Sequence, residues 1–327
     1  MMKIISRLLL GITLIISLII FYTLWDNLRI TVAEETIYID DLPKDLQGYT
    51  ILQISDLHEK KFGKNQRRLI NKVNKQEYDS IVFTGDMLDD ENSKNYKPTY
   101  DLLEGIENLD NALFVPGNTD PENTYMGPTY SREKHEFIKG MGERGVKKLD
   151  SVYTITRGDA KIHFVEFALS LIDKEMELKK LQENSSELNE DDQYLQTLYK
   201  EISVIDKLTD QELLISLYHY PLPDVRIDIH KNDESIIFRD YDLHIAGHYH
   251  GGQIRIPFYG AVIVPEAYYD NYGLFPPRDR VDGLWEYDGL KQYVSTGLGS
   301  SKAVGFLNFR LFNTPEINLL TLEKNPE

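Results

Sequence analysis

The chain of 327 residues has no cysteine. That absence excludes a disulfide framework, a thiolate zinc site and a cysteine nucleophile, so any bound metal takes its ligands from His, Asp and Asn. Nitrogen and oxygen donors of this kind suit Mn, Fe, Zn and similar ions. Positive charge is also scarce: 36 Lys and Arg stand against 53 Asp and Glu, a net charge of -17. A surface of that sign repels nucleic-acid phosphates, and no nucleic-acid partner is expected. A phosphate substrate stays open, because divalent cations dominate the field of the site that holds them. With 41% apolar residues the chain can bury the core of one large domain or two small ones.

An almost unbroken apolar run extends from Leu8 to Trp25. At about 1.5 Å per residue it reaches the lower length for a membrane-spanning helix. Lys3 and Arg7 precede it, which places the N-terminus in the cytoplasm and the rest of the chain outside, with Tyr22 and Trp25 at the far interface. A cleaved signal peptide is the competing reading, with Thr31-Val32-Ala33 as a tolerable cleavage pattern. The length of the run and its distance from that pattern favour an uncleaved single-pass anchor. The expected organisation is therefore an anchor over 1–25, a tether over 26–48 with an extended piece from Thr36 to Asp40, and one domain over 49–327.

Five apolar runs end abruptly in metal-ligand residue types. Tyr49 to Ser55 leads into Asp56-Leu57-His58, Asp79 to Thr84 into Gly85-Asp86, and Asn111 to Pro116 into Gly117-Asn118. Leu213 to Tyr218 leads into His219-Tyr220-Pro221, and Tyr241 to Ala246 into Gly247-His248-Tyr249-His250-Gly251-Gly252-Gln253. In open α/β sheets ligands gather beyond the carboxyl ends of the strands. Helical runs over Asn65 to Gln76 and near Tyr100 to Leu109 separate the first three strands, which predicts a right-handed parallel unit. After residue 140 the texture changes. Ser151 to Thr156 and Lys161 to Phe167, joined by Arg157-Gly158-Asp159-Ala160, read as a hairpin.

In this order the blocks resemble the calcineurin-like metallophosphoesterase superfamily, whose pattern runs D-x-H, G-D-x-x, G-N-H-[DE], H-x-P and G-H-x-H, over roughly residues 49 to 323. The G-H-x-H-G-G-Q form and Tyr293 to Gly299 are similar to its membrane-anchored bacterial branch, which includes phosphodiesterases and a UDP-diacylglucosamine pyrophosphatase. The resemblance implies an α/β fold, a four-layer α/β/β/α sandwich behind an N-terminal transmembrane helix. It also implies two divalent ions that activate water against a phosphodiester or pyrophosphate, envelope- or lipid-linked. By carry-over Asp86 bridges the ions, Asp56, His58 and His250 complete one site, and Asn118, His219 and His248 complete the other. Asp86, Asn118 and Asp120 are the expected catalytic residues, and Asp89 orients a ligand from outside. A broad-specificity phosphatase and a catalytically weak, metal-containing binding protein are the alternatives.

One position departs from the pattern. Where the family commonly carries a His thought to protonate the leaving oxygen, this chain has Thr119, in Gly117-Asn118-Thr119-Asp120. Threonine is no general acid near neutral pH, and losing such a group typically forfeits a factor of about 10² to 10⁴. A leaving group too acidic to need protonation is the favoured explanation. Replacement in space by His135 or a tyrosine, or weak catalysis, are the others.

Between Asp173 and Lys207 lies an insertion relative to the family, with Leu181, Leu188, Leu195 and Ile202 in one seven-residue step and Leu198 and Ile205 in another. It predicts a helical hairpin broken near Asn184-Ser185-Ser186, read as a solvated flap in preference to a lid. The aromatic stretch Ala267 to Pro277 is expected to be an ordinary loop in preference to a pocket for an acyl or nucleoside group. His163 and His244 read as structural, His230 as a polar-loop residue and Asp90 as solvated.

Overall fold

The computed structural model describes residues 2–121, 134–184, 190–302 and 308–326. Its elements in chain order are α1 (Met2–Asp26), β1 (Thr31–Ile39), β2 (Tyr49–Ile54), α2 (Arg67–Val73), β3 (Ser80–Phe83), α3 (Lys97–Gly105), β4 (Ala112–Phe114), α4 (Glu136–Glu143) and β5 (Lys147–Lys148). The second half supplies β6 (Tyr153–Arg157), β7 (Ala160–Glu166), α5 (Phe167–Ser170), α6 (Lys174–Asn184), α7 (Glu190–Ile202), β8 (Glu212–Leu217), α8 (Asp224–Lys231) and β9 (Leu243–Ala246). A small hairpin, β10 (Arg255–Ile256) and β11 (Gly260–Ala261), precedes β12 (Gly283–Tyr287), β13 (Leu290–Val294) and β14 (Glu316–Lys324).

These strands build two six-stranded sheets, ordered β1-β14-β2-β3-β4-β5 and β12-β13-β9-β8-β7-β6. Alternate side chains of a strand point to opposite faces, so a strand covered on both sides reads as a continuous apolar run. Ile51, Val82 and Leu113 of the first sheet accordingly share one core with Ile162, Phe164, Ile215 and Ile245 of the second. Leu52, Ile54, Phe83 and Phe114 face the other way, onto Leu69, Leu102 and Phe137 of α2, α3 and α4. Val165 and Leu214 pack likewise on Phe167, Ile202 and Ile227 of α5, α7 and α8. Helices thus cover the outer faces of two facing sheets, the α/β/β/α layering that the sequence implied. The hairpin expected after residue 140 is β6–β7, antiparallel with Arg157 opposite Ala160.

Two expectations are corrected. Residues 26–48 are not a free tether, because β1 lies parallel to β14 in register from Thr31 opposite Glu316 to Ile39 opposite Lys324. Ile37 and Ile39 are buried in the inter-sheet core. The partner strand lies almost at the other end of the chain, so local pattern carried no sign of it. The stretch 173–207 is not a solvated flap either: Leu198, Tyr199, Ile202 and Ile205 are buried in the outer core of the second sheet, with Leu181 and Leu195 partly buried against them. Leu188, Ser185 and Ser186 fall outside the described residues.

Helix α1 has 25 residues and is long and apolar enough to cross a membrane. Its C-terminal end is fastened to the sandwich. Asp26 is buried and accepts hydrogen bonds from the Thr314 hydroxyl at 2.8 Å and from Arg29 at 3.0 Å. The Asn27 amide donates to the Arg310 carbonyl at 2.6 Å and its oxygen accepts from the Arg310 amide at 2.9 Å.

Ile37→Ala tests the assignment of β1. Emptying this buried site is expected to cost about 2–5 kcal/mol in urea denaturation, whereas a change in a free tether costs under about 0.5 kcal/mol.

Candidate metal centre

The ligand-type residues lie just beyond the carboxyl ends of β2, β3, β8 and β9. Asp56, His58, Asp86, His248 and His250 all adopt left-handed φ values between 46° and 69°. Such a conformation costs a non-glycine residue roughly 1–2 kcal/mol, and here it turns the chain sharply at each strand end so that the side chains converge. Neighbouring turns are stitched together. Asp56 N–H donates to the Gly85 carbonyl and His58 N–H to the Asp86 carbonyl, both at 2.9 Å, while Gly247 N–H donates to the His219 carbonyl at 3.0 Å.

Asp86 stands at the centre. Its Oδ2 lies 3.3 Å from His58 Nε2 and 3.3 Å from His219 Nε2. On one side the Nε2 atoms of His58 and His250 are 3.3 Å apart, and His250 Nε2 is 3.4 Å from Asp56 Oδ1. On the other, His248 Nδ1 is 3.1 Å from His219 Nε2. The ligand atoms form two groups, Asp56, His58, Asp86, His250 and Asp86, His219, His248, each within 4.8 Å. Imidazole nitrogens turned toward one another and toward buried carboxylates need a proton or a cation between them. The donor set therefore fits divalent metal, and Asp86 belongs to both groups.

The titration pattern agrees. Burial pushes the Asp86 carboxyl up, but His219 and His58 more than offset it and hold it well below the ordinary range. Burial lowers His219, yet the Asp86 charge lifts it to about 9; His58 is raised as well, against burial, by its hydrogen bond to Asp86. Burial carries Asp56 upward. It lowers His248 to about 3, and His250 falls well below the ordinary imidazole value. Protons on His58 and His219 thus occupy the positions that cations compete for.

The loop after β4 holds this arrangement without supplying an acid. Thr119 N–H donates to Asp86 Oδ1 at 2.9 Å, and the Thr119 hydroxyl donates to the Leu88 carbonyl at 2.7 Å. Asp120 is fully buried and accepts from the backbone N–H groups of Met87, Leu88 and Gly117, each at 3.0 Å. Burial raises it to about 6. Its carboxylate, expected to be catalytic, is engaged in clamping two loops together. The side chain of Asn118 is exposed on the same loop. His135 caps α4, its Nδ1 accepting from Phe137 N–H at 3.2 Å. Asp89 Oδ1 lies 3.7 Å from His58 Nδ1. His163 pairs with the Thr154 hydroxyl and His244 with the Ser216 hydroxyl, each at 2.8 Å, as structural histidines do.

Three supporting residues were not singled out from sequence. Arg310 is fully buried and donates to the carbonyls of Gly299 at 2.9 Å, Asn313 at 2.9 Å and His250 at 3.3 Å. Asn313 donates to the same His250 carbonyl at 2.7 Å. Gln53 links the two sheets beneath the site, donating to Thr84 Oγ1 at 2.8 Å and to the Ala246 carbonyl at 2.7 Å. Only a polar residue inside an apolar strand could have drawn attention to Gln53; nothing local marked Arg310 or Asn313.

Two facing mixed sheets whose strand ends gather a buried Asp and His cluster define a metal-dependent phosphoesterase. The model of the calcineurin-like phosphoesterase family matches residues 49–252, more than half of the chain, and the chain belongs to that family. It is 27% identical over 300 residues to the uncharacterized metallophosphoesterase YkuE of Bacillus subtilis, covering 90% of this chain and 86% of that protein. It is 26% identical to an uncharacterized metallophosphoesterase of Campylobacter jejuni, covering 98% of this chain and 71% of that one. A solved phosphopantetheinyl hydrolase from Mycobacterium tuberculosis is 14% identical with a TM-score of 0.40, over 77% of this chain and 91% of that chain.

A Cβ added at Gly247 would lie 2.1 Å from Ser55 Oγ and 2.5 Å from Asp56 Oδ2. Gly247→Ala is therefore expected to displace Asp56 and weaken metal binding by about 10–100-fold while the protein stays folded, as read by calorimetric titration with Mn²⁺. The same titration of the unaltered protein should show proton release on binding, and affinity should fall as pH is lowered, because His58 and His219 hold their protons more tightly than free imidazole.

Proposed function

We propose that this phosphoesterase uses two divalent ions, Mn, Fe, Zn or similar, to hydrolyse a phosphodiester or pyrophosphate linked to a lipid or envelope component. The observation that carries the reading is Asp86 Oδ2, equally distant from an imidazole of each group. Asp56, His58, Asp86 and His250 would hold one ion; Asp86, His219 and His248, completed by the Asn118 amide, would hold the other. Two such ions supply Lewis acidity and bring the pKa of a coordinated water from 15.7 toward about 7. In the overall reaction the water oxygen bonds to phosphorus and the P–O bond to the leaving group breaks with its electron pair. The water proton ends on the leaving oxygen or in solvent.

The chain's own residues set the limits of that chemistry. Asp120 holds the Asn118 loop against Met87 and Leu88, and Thr119 N–H fixes the Asp86 carboxylate. The Thr119 hydroxyl is engaged with Leu88 and has no acidity near neutral pH, so leaving groups that depart as stable anions are favoured. Pyrophosphates and activated diesters meet that condition.

The same reading makes α1 an uncleaved anchor with the sandwich outside the cytoplasm. Cleavage after Ala33 would remove the first paired residues of β1 together with the Asp26 and Asn27 contacts, which supports the anchor over a signal peptide. Lys3 and Arg7 support the orientation.

Hydrolysis of bis(p-nitrophenyl) phosphate and p-nitrophenyl phosphate, with Mn²⁺ and with chelator, tests the chemistry. Metal-dependent turnover favouring the diester is expected, reduced at least about a hundredfold in Asp86→Asn. Bound metal without turnover of either compound would instead support a binding protein. Thr119→His should raise turnover of diesters with alkoxide leaving groups more than of p-nitrophenyl esters, because only the former need a proton.

A further inference from the structure

A cavity of about 450 Å³ lies between the end of α1 and the metal centre. The helix end and the turn after it line it with Leu24 and Leu28, and Phe309 adds a further apolar surface. The other end reaches His58, Lys60 and Asp89. An apolar wall at one end and a metal-ligand imidazole at the other are what an amphiphile with a phosphate head requires.

The surroundings place the cavity at a membrane surface. Tyr22 and Trp25, residues that favour the headgroup layer, sit on the last turns of α1, and the Tyr22 ring rests on Phe312 at 5.4 Å. Asp26 and Asn27 bind Thr314 and Arg310, so the helix end cannot swing away without breaking buried hydrogen bonds. Arg310 in turn holds His250. Anchor and metal centre are thereby joined through one loop. Although the chain is strongly acidic, Lys61 lines the cavity and Arg29 lies on the turn after α1; the Lys60 amine is turned inward, donating to the Leu298 carbonyl at 2.9 Å. Cations at headgroup depth suit an anionic lipid head.

We infer that this cavity is the entrance for a membrane-resident phosphoester, whose alkyl chain lies along Leu24 and Leu28 while its phosphate reaches the His58 end. The inference rests on the phosphoesterase reading above and adds the direction of entry and the part of the substrate that is recognised. The anchor is then one wall of the binding site as well as a tether. Substrate arrives laterally from the bilayer.

The test uses the full chain in phosphatidylcholine vesicles with Mn²⁺ and two diesters that share a leaving group, methyl p-nitrophenyl phosphate and dodecyl p-nitrophenyl phosphate. The dodecyl ester should show a kcat/KM at least about tenfold higher, since each buried methylene favours it. Leu28→Asp and Phe309→Asp should each lower kcat/KM for the dodecyl ester at least about tenfold and bring the dodecyl-to-methyl ratio close to one, because both line the cavity that takes the alkyl chain. A preference absent from the unaltered protein, surviving in both variants, or lost only together with methyl-ester turnover overturns lateral entry. Failure of the unaltered protein to cleave either ester overturns the diester reading, and lateral entry with it.

Discussion

The structure depends on one carboxylate held between two imidazoles. Asp86 is buried, and its Oδ2 faces His58 and His219 at the same 3.3 Å. A buried anion is costly unless cations or hydrogen-bond donors surround it. Here the surroundings come from four strand ends in two sheets, so the sandwich has to close correctly before the site exists. The cost of crowding like groups together is borne by the core beneath, where both faces of both sheets are filled. Gln53, bridging Thr84 and the carbonyl of Ala246, fixes the spacing between sheets directly under the cluster.

Backbone strain is concentrated in the same place. The five convergent side chains with left-handed φ each forgo an easier conformation, and the loops that impose it are cross-linked by backbone hydrogen bonds and by Asp120. Thr119 takes part in that bracing in place of the histidine common at this position. Its backbone N–H and its hydroxyl both serve to hold the loop against Asp86 and Leu88.

Much of this was legible from the order of residues. Strands β2, β3, β4, β8 and β9 are covered on both faces, so their apolar runs stand out, and the polar residues that end them mark where the cover stops. The grouping of Asp56, His58, Asp86, His219, His248 and His250 was implied by the resemblance of the blocks that carry them, and their side chains lie together at the strand ends of both sheets. What escaped notice depends on distant partners. Strand β1 lies at a sheet edge, its apolar residues interrupted by Glu34 and Glu35, and its ladder partner is the distant β14. Arg310 owes its burial to carbonyls at residues 250, 299 and 313, which no local window brings together. Asp120 accepts from three backbone amides, contacts that appear only once the loops are folded.

The placement of β14 has a consequence for how the chain matures. This last strand inserts between β1 and β2, and the 310–314 loop just before it supplies the contacts to Asp26 and Asn27. Strand β1 and the edge of β2 therefore stay unpaired until residues 316–324 are in place beside them. The segment that precedes β14 also holds His250 through Arg310 and the end of α1 through Thr314 and Arg310, so one stretch of chain braces both the cluster and the helix.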